Sequence, residues 1–220
     1  AIETPGYQNT FRRLHLNQWT EQSERWLDMD TWDEGGEAFD VEELAGRQCF
    51  GGLDLSSTTD LSAFVLVFPP KGDGQRWKSL CWFWLPEENI RRRVERDRVP
   101  YDVWAGEGGV HLTEGNVIDY AWLRKTINDL AETYRIKEIM YDRWNASQLV
   151  TWLTDDGATM VPFGQGFASM TAPTKELETL IVGRTFQHGG NPVLRWMASN
   201  VAVAQDSAGN LKPDKAKSSD

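Results

Sequence analysis

The amino-acid sequence predicts an α/β protein with one mixed sheet covered by helices. Three observations carry this. Between Cys49 and Leu85, three segments rich in β-branched and aromatic residues are joined by short polar turns. After Pro86 the apolar period lengthens, and helical stretches alternate with short apolar strands. Strands joined by tight turns pair antiparallel and strands separated by helices pair parallel, so one sheet holding both halves is mixed.

Taken in order, residues 1 to 45 read differently from the rest. Thr20-Glu21-Gln22-Ser23-Glu24 is a helix-start signature, with a hydroxyl and a carboxylate at capping distance. Trp26 to Trp32 and an acidic, glycine-bearing stretch through Asp40 follow, so the segment reads as an arm whose aromatic residues need another surface to bury them. Cys49–Leu55 is a first apolar strand that carries one carboxylate, Asp54, and Ser56–Asp60 is a polar turn. Leu61–Phe68 is a second strand, stopped by Pro69-Pro70, and Lys71–Gly74 turns the chain into a third at Trp77–Leu85. Pro86-Glu87-Glu88 opens a helix expected to run to about Arg98, proline and early carboxylates both suiting a first turn.

The second half continues the alternation. Val110–Thr113 is a short edge strand, and Asp119 caps a helix through Tyr134. Ile136–Asp142 is a strand, Asn145–Thr154 a helix, Thr159–Phe163 a strand and Pro173–Val182 a helix. Asn191–Asn200 is helical, Val201–Gln205 a strand and Asp206–Asn210 a turn.

The chain has 220 residues, 40% hydrophobic and 25% charged, the proportions of one ordinary globular domain. No run reaches the ~18 apolar residues of a membrane span. Ala1 to Pro5 do not open a basic-then-apolar leader, and Cys49 and Cys81 are too few for a disulfide scaffold. An intracellular protein with buried reduced thiols, and no membrane partner, is the expectation. Twenty-three basic against thirty-three acidic residues give a net charge of −10. A domain that held nucleic acid tightly by itself would be basic, because phosphate neutralisation dominates such affinity. This chain either does not touch nucleic acid, or touches it weakly while another module holds it.

Two carboxylates occupy unusual places. Asp54 ends an apolar strand, and Asp142 ends a later strand that follows a helix. Burying carboxylates costs free energy unless they are paired or bound to a cation, and two brought together repel unless a divalent ion neutralises both. Strand C-termini of α/β sheets are also where ligands collect. The alternative is local capping: of the Ser56 turn by Asp54, and of the helix near Asn145 by Asp142. The histidines His15, His111 and His188 lack ligand spacing, which argues against zinc, and no G-x-S-x-G elbow occurs.

Gly51-Gly52-Leu53-Asp54-Leu55-Ser56-Ser57-Thr58-Thr59-Asp60 closely resembles the first nuclease motif of tailed-phage terminase large subunits, and Tyr141-Asp142-Arg143-Trp144-Asn145 resembles the second. Pro173–Leu177, His188–Val193 and Lys212–Lys215 also resemble stretches of these proteins and their prophage relatives. The resemblance implies an RNase H-like fold and an endonuclease that cuts concematenated, double-stranded viral DNA during packaging, in the cytoplasm of the bacterial host. It implies two Mg²⁺ or Mn²⁺ ions, held by Asp54, Asp142 and a third acid near the start of a final helix. Asp220, the last residue of the chain, is the candidate third ligand, next to the alternative that the ligand lies beyond it. Residues 1 to 45 would be the end of an ATPase module and its linker, and 46 to 220 the nuclease domain without its last helix. A terminase small subunit and a portal protein are the implied partners. No G-x-x-x-x-G-K-[ST] phosphate loop occurs, so the ATPase motor is expected upstream.

Several other polar residues lie in or near these motifs. Asp60 is a hairpin cap or an outer support for the site, and Arg143 and Asn145 are phosphate contacts or structural groups. Arg91, Arg92, Arg93, Arg96 and Arg98, interleaved with Glu87, Glu88, Glu95 and Asp97, read as a solvated helix face. Lys212, Lys215 and Lys217 form a tail that contacts DNA or stays free, and Lys175 and Glu176 are ordinary helix residues. The rival functions are a junction resolvase or transposase of the same fold, and a non-catalytic docking module of the packaging motor.

Overall fold

A computed structural model of the chain describes residues 26–56, 61–88, 90–143, 147–214 and 218. Asp220, Asp60, Asn145 and the helix-start signature at Thr20–Glu24 lie outside these residues. In chain order the elements are α1 (Met29–Asp33), β1 (Gln48–Asp54), β2 (Ser62–Phe68), β3 (Trp77–Pro86), α2 (Ile90–Asp97), α3 (Tyr101–Gly106), β4 (His111–Thr113), α4 (Tyr120–Thr133), β5 (Arg135–Asp142), α5 (Ser147–Asp155), β6 (Met160–Phe163), α6 (Phe167–Val182), β7 (Phe186–Gln187), α7 (Pro192–Asn200), β8 (Val203–Gln205) and β9 (Leu211–Pro213). Short 3₁₀ turns at Glu34–Gly36 and Glu42–Leu44 precede β1.

Among the described residues the main sheet has seven strands in the order β4-β3-β2-β1-β5-β6, with β7 beside the start of β3. The first three strands form the expected antiparallel meander, and β5, β6 and β4 join in parallel. Strict alternation builds β2: Ser62, Phe64, Leu66 and Phe68 are buried on one face, and Ala63, Val65 and Val67 half-buried on the other. On the first face α4 and α5 complete the main core, Leu123, Ile127, Leu149 and Leu153 packing on Leu53, Phe64, Leu66, Trp84 and Ile139. On the second face the β3 side is covered, because Phe83 and Leu85 pack with Val99, Trp104 and Val193 from α2–α3 and α7.

The arm finds the surface that its aromatic residues require. Trp26, Leu27, Met29 and Trp32 are buried with Ile181, Phe186 and Ala198, around α6, β7 and α7. Asp28 caps α1 by accepting from the amides of Asp30 and Thr31 at 2.8 and 3.1 Å. Ion pairs Arg195–Asp33 (2.7 Å), Arg184–Glu34 (2.5 Å), Arg76–Glu37 (3.2 Å) and Lys78–Glu43 tie the acidic stretch to the body. His188 closes the junction: it stacks on Trp32 with ring centroids 4.2 Å apart, and its Nε2 donates to the Trp32 carbonyl at 2.9 Å.

Four boundaries differ from the sequence expectation. The strand β3 continues through Pro86, pairing Leu85 and Pro86 with β4, so α2 starts only at Ile90. The short α3 and β7 were not expected; neither is long enough to show a period. The helix α6 starts at Phe167, leaving Pro173 inside it rather than in its first turn. Proline there removes one backbone donor, and Thr171, whose hydroxyl lies 2.6 Å from the Phe167 carbonyl and 3.1 Å from that of Leu211, ties this part of the helix to β9. The expected strand at Val201–Gln205 becomes β8, paired with β9 as a separate hairpin around the Asp206 turn.

Candidate active site

Asp54 and Asp142 reach one place through different local devices. On β1 the alternation is simple: Cys49, Gly51 and Leu53 are buried on the α4–α5 face, and Phe50, Gly52 and Asp54 point to the other. On β5 the alternation breaks. The register pairs Cys49 with Ile136 but Gly51 with Ile139, so β5 carries one extra residue between them. Ile136 and Ile139, three apart in sequence, both pack into the main core, and the extra residue absorbs the odd step. From there Gly52 pairs with Met140 and Leu53 with Tyr141, which sets Asp54 beside Asp142. Neighbouring strands run about 4.8 Å apart, so the two carboxylates leave the sheet side by side. Tyr141 packs against the main core, so by alternation Asp142 turns to the other face, as Asp54 does, and both line one cleft.

That cleft has a volume of about 580 Å³. Its floor is the second face of β1, β2 and β5, through Phe50, Gly52, Val65 and Met140, and its wall is α6, through Met170, Pro173, Thr174 and Leu177. The floor is apolar along the strands and acidic at their C-terminal ends. Gln165, in the connection between β6 and α6, donates from Nε2 to Asp142 Oδ2 at 2.8 Å. It therefore fixes one oxygen of Asp142 and leaves the orientation of the other defined. Sequence reasoning passed over Gln165, a polar residue in a loop with no period to mark it. The bulge left a legible trace, since two isoleucines three apart contradict a plain alternating strand.

Ser57 and Thr58 of the turn that Asp54 would cap lie outside the described residues. The amide of Ser56 donates to Ser62 Oγ at 3.1 Å, not to Asp54. The arrangement suits a hard cation, because two adjacent carboxylates offer oxygen donors alone. Among the described residues the thiols and imidazoles lie elsewhere. Cys49 is buried in the main core, His188 is engaged by Trp32, and His111 is half-buried against Trp84. Among the described residues no group of three His, Cys, Asp or Glu side chains assembles around one point. Arg143 is exposed directly after Asp142. Lys175 and Glu176 lie on exposed positions of α6, and Lys212 sits over the ring of Phe167, 5.4 Å from its centroid.

Comparisons with known proteins place the chain in a family. The family model for the terminase large subunit, endonuclease domain, matches residues 1–220. The terminase large subunit of Enterobacteria phage HK97 is 34% identical over 219 residues, covering 99% of this chain and 42% of that protein. Protein YmfN of Escherichia coli K12 is 26% identical, covering 94% of this chain and 48% of its own length. The chain thus spans less than half of these curated relatives. Among solved structures, the HK97 large terminase superposes with a TM-score of 0.79 at 32% identity, over 99% of this chain and 45% of that one. The large terminase nuclease of thermophilic phage G20c gives 0.50 at 13% identity, over 77% and 74%, a likeness of fold. A mixed sheet flanked by helices with the RNase H-like order, and a family match along the whole chain, lead to one conclusion: this chain belongs to the endonuclease domains of terminase large subunits.

Proposed function

We propose that the chain is a divalent-metal-dependent endonuclease acting on double-stranded DNA, and that within a longer protein it cuts concatemeric viral DNA during genome packaging. The observation that carries this is the placement of Asp54 and Asp142 as neighbours on one sheet face at the strand C-termini. These two carboxylates would hold Mg²⁺ or Mn²⁺, with Gln165 orienting Asp142. When bound, a pair of such ions supplies an activated water on one side of a phosphodiester and stabilises the leaving 3′ oxygen on the other. Asp54 and Asp142 would fix where that happens. Asp220 is proposed as the third ligand.

The same reading assigns residues 1 to 45 to the end of an ATPase module and its linker, with the motor upstream. It takes a small subunit and a portal protein as partners, in the host cytoplasm. The net charge of −10 fits a nuclease that is handed its substrate by a motor, because weak affinity of its own limits stray cutting. Asp54→Asn and Asp142→Asn each keep the shape of the side chain and remove its charge. Each is expected to abolish Mn²⁺-dependent nicking of supercoiled plasmid and to weaken Mn²⁺ binding heat in calorimetry. Full activity in either variant removes that residue from the mechanism.

A further inference from the structure

The densest basic run of the sequence follows β3, which lies two strands from Asp54 in the sheet. Asp54 pairs with Ala63 on β2, and Ala63 with Phe83 on β3, so these three positions form one row across the sheet. Two strand spacings, about 10 Å, separate Asp54 from Phe83. The strand β3 runs parallel to β1 and ends three residues further on, at Pro86, beyond the same edge at which Asp54 and Asp142 emerge. The helix α2 begins four residues later, at Ile90. Its continuation packs on the face that carries Asp54, through Val99 and Trp104 against Phe83 and Leu85.

The helix also has the right polarity. Arg93 is its buried residue, which turns Arg91, Arg92 and Arg96 outward. Arg96 is committed to Asp97, with Nη2 2.9 Å from Oδ2. Among the described residues Arg91, Arg92 and Arg98 make no ion pair. Arg98 follows the helix at φ +55°, the left-handed position where glycine is the least costly residue. An arginine there accepts strain of ~1 kcal/mol to keep its charge. In a chain of net charge −10, arginines that make no ion pair among the described residues offer the sign that a phosphate backbone requires. A duplex carries one charge per ~1.7 Å of axis, so one engaged at the carboxylates places further phosphates over α2.

We infer that Arg91, Arg92 and Arg98 form a backbone clamp that holds the duplex in line with Asp54 and Asp142. This rests on the nuclease reading and adds the surface by which the substrate is held. Because the contacts are to phosphate, they set position and affinity without reading sequence.

The test measures duplex binding by the 220-residue chain in EDTA, by fluorescence anisotropy over a range of salt concentrations, alongside Mn²⁺-dependent nicking. Arg91→Gln/Arg92→Gln is expected to make the slope of log K against log salt shallower by ~2, and Arg98→Gly by ~1. KM for plasmid should rise in both variants. The glycine variant relieves backbone strain, so its weakened binding cannot arise from misfolding. Arg135→Gln removes an exposed arginine at the opposite end of β5 and should leave the slope unchanged. An unchanged slope in both α2 variants overturns the clamp while nicking by the unaltered chain sustains the nuclease reading. If the unaltered chain binds duplex but never nicks it, and the α2 variants still flatten the slope, the clamp stands and the nuclease reading falls.

Discussion

Replacing Gly51 and Gly52 one at a time with alanine tests the two faces of β1 against each other. A Cβ on Gly51 would sit 3.0 Å from Ile139 Cγ1 and 3.1 and 3.3 Å from two ring carbons of Phe64. Both neighbours are essentially inaccessible, at 1% and 0% exposure, and neither can retreat into solvent. Overpacking of this kind costs ~1–3 kcal/mol, offset by ~0.5–1 kcal/mol from stiffening the unfolded chain. Gly51→Ala should therefore lose ~0.5–2 kcal/mol, a fall of ~1–8 °C in Tm for a chain of this size. A Cβ on Gly52 meets nothing within 4 Å, because it enters the open cleft. Gly52→Ala should gain ~0.5–1 kcal/mol, a rise of ~1–4 °C. It also puts a methyl group on the cleft floor between Phe50 and Asp54, so nicking should fall as stability rises. The assay is thermal melting with plasmid nicking on the same samples. A destabilised Gly52→Ala, or a Gly51→Ala as stable as the parent, would show that β1 does not present these faces as described.

Three further outcomes are expected. Deleting Glu138 removes the extra residue of the bulge and leaves Ile136 and Ile139 two apart, on one face without any irregularity; the variant should fold and nick DNA, and an unfolded or inactive product would mean that the bulge itself is required. Burial pushes the Cys49 thiol up to about 11 and the Cys81 thiol up to about 12, so at about pH 8 the native chain should resist Ellman's reagent while the denatured chain reacts at both positions; rapid native labelling would contradict the burial. Burial holds His188 below its ordinary value of 6.5, so between the two values the unfolded chain binds the extra proton and stability falls as pH drops below about 6.5. Burial of His111 acts with the same sign. His188→Gln should shrink the loss of Tm between about pH 7.5 and 5, and an unchanged loss would assign the effect elsewhere.

The antiparallel start was legible because β1 and β2 alternate strictly and proline and glycine turns bound the first three strands, and these are local properties. The carboxylates were legible because a charge at the end of an apolar strand violates that same pattern. Elements shorter than one period were missed, α3 and β7 among them, as was the six-residue extension of α6 before Pro173. Local preference places proline in a first turn, and only the contact of this helix with β9 reveals that it starts earlier.

By itself the sequence determined the fold class, the antiparallel start and the two aspartates, since alternation, turn chemistry and misplaced charge are each written in a few consecutive residues. Only the tertiary structure decided that Asp54 and Asp142 share a face, that Gln165 holds one of them, and that the arginine helix follows a strand two places away in the same sheet. The physical reason is that a side chain's face on β5 depends on a one-residue slip against β1, and a slip is a property of the paired strands.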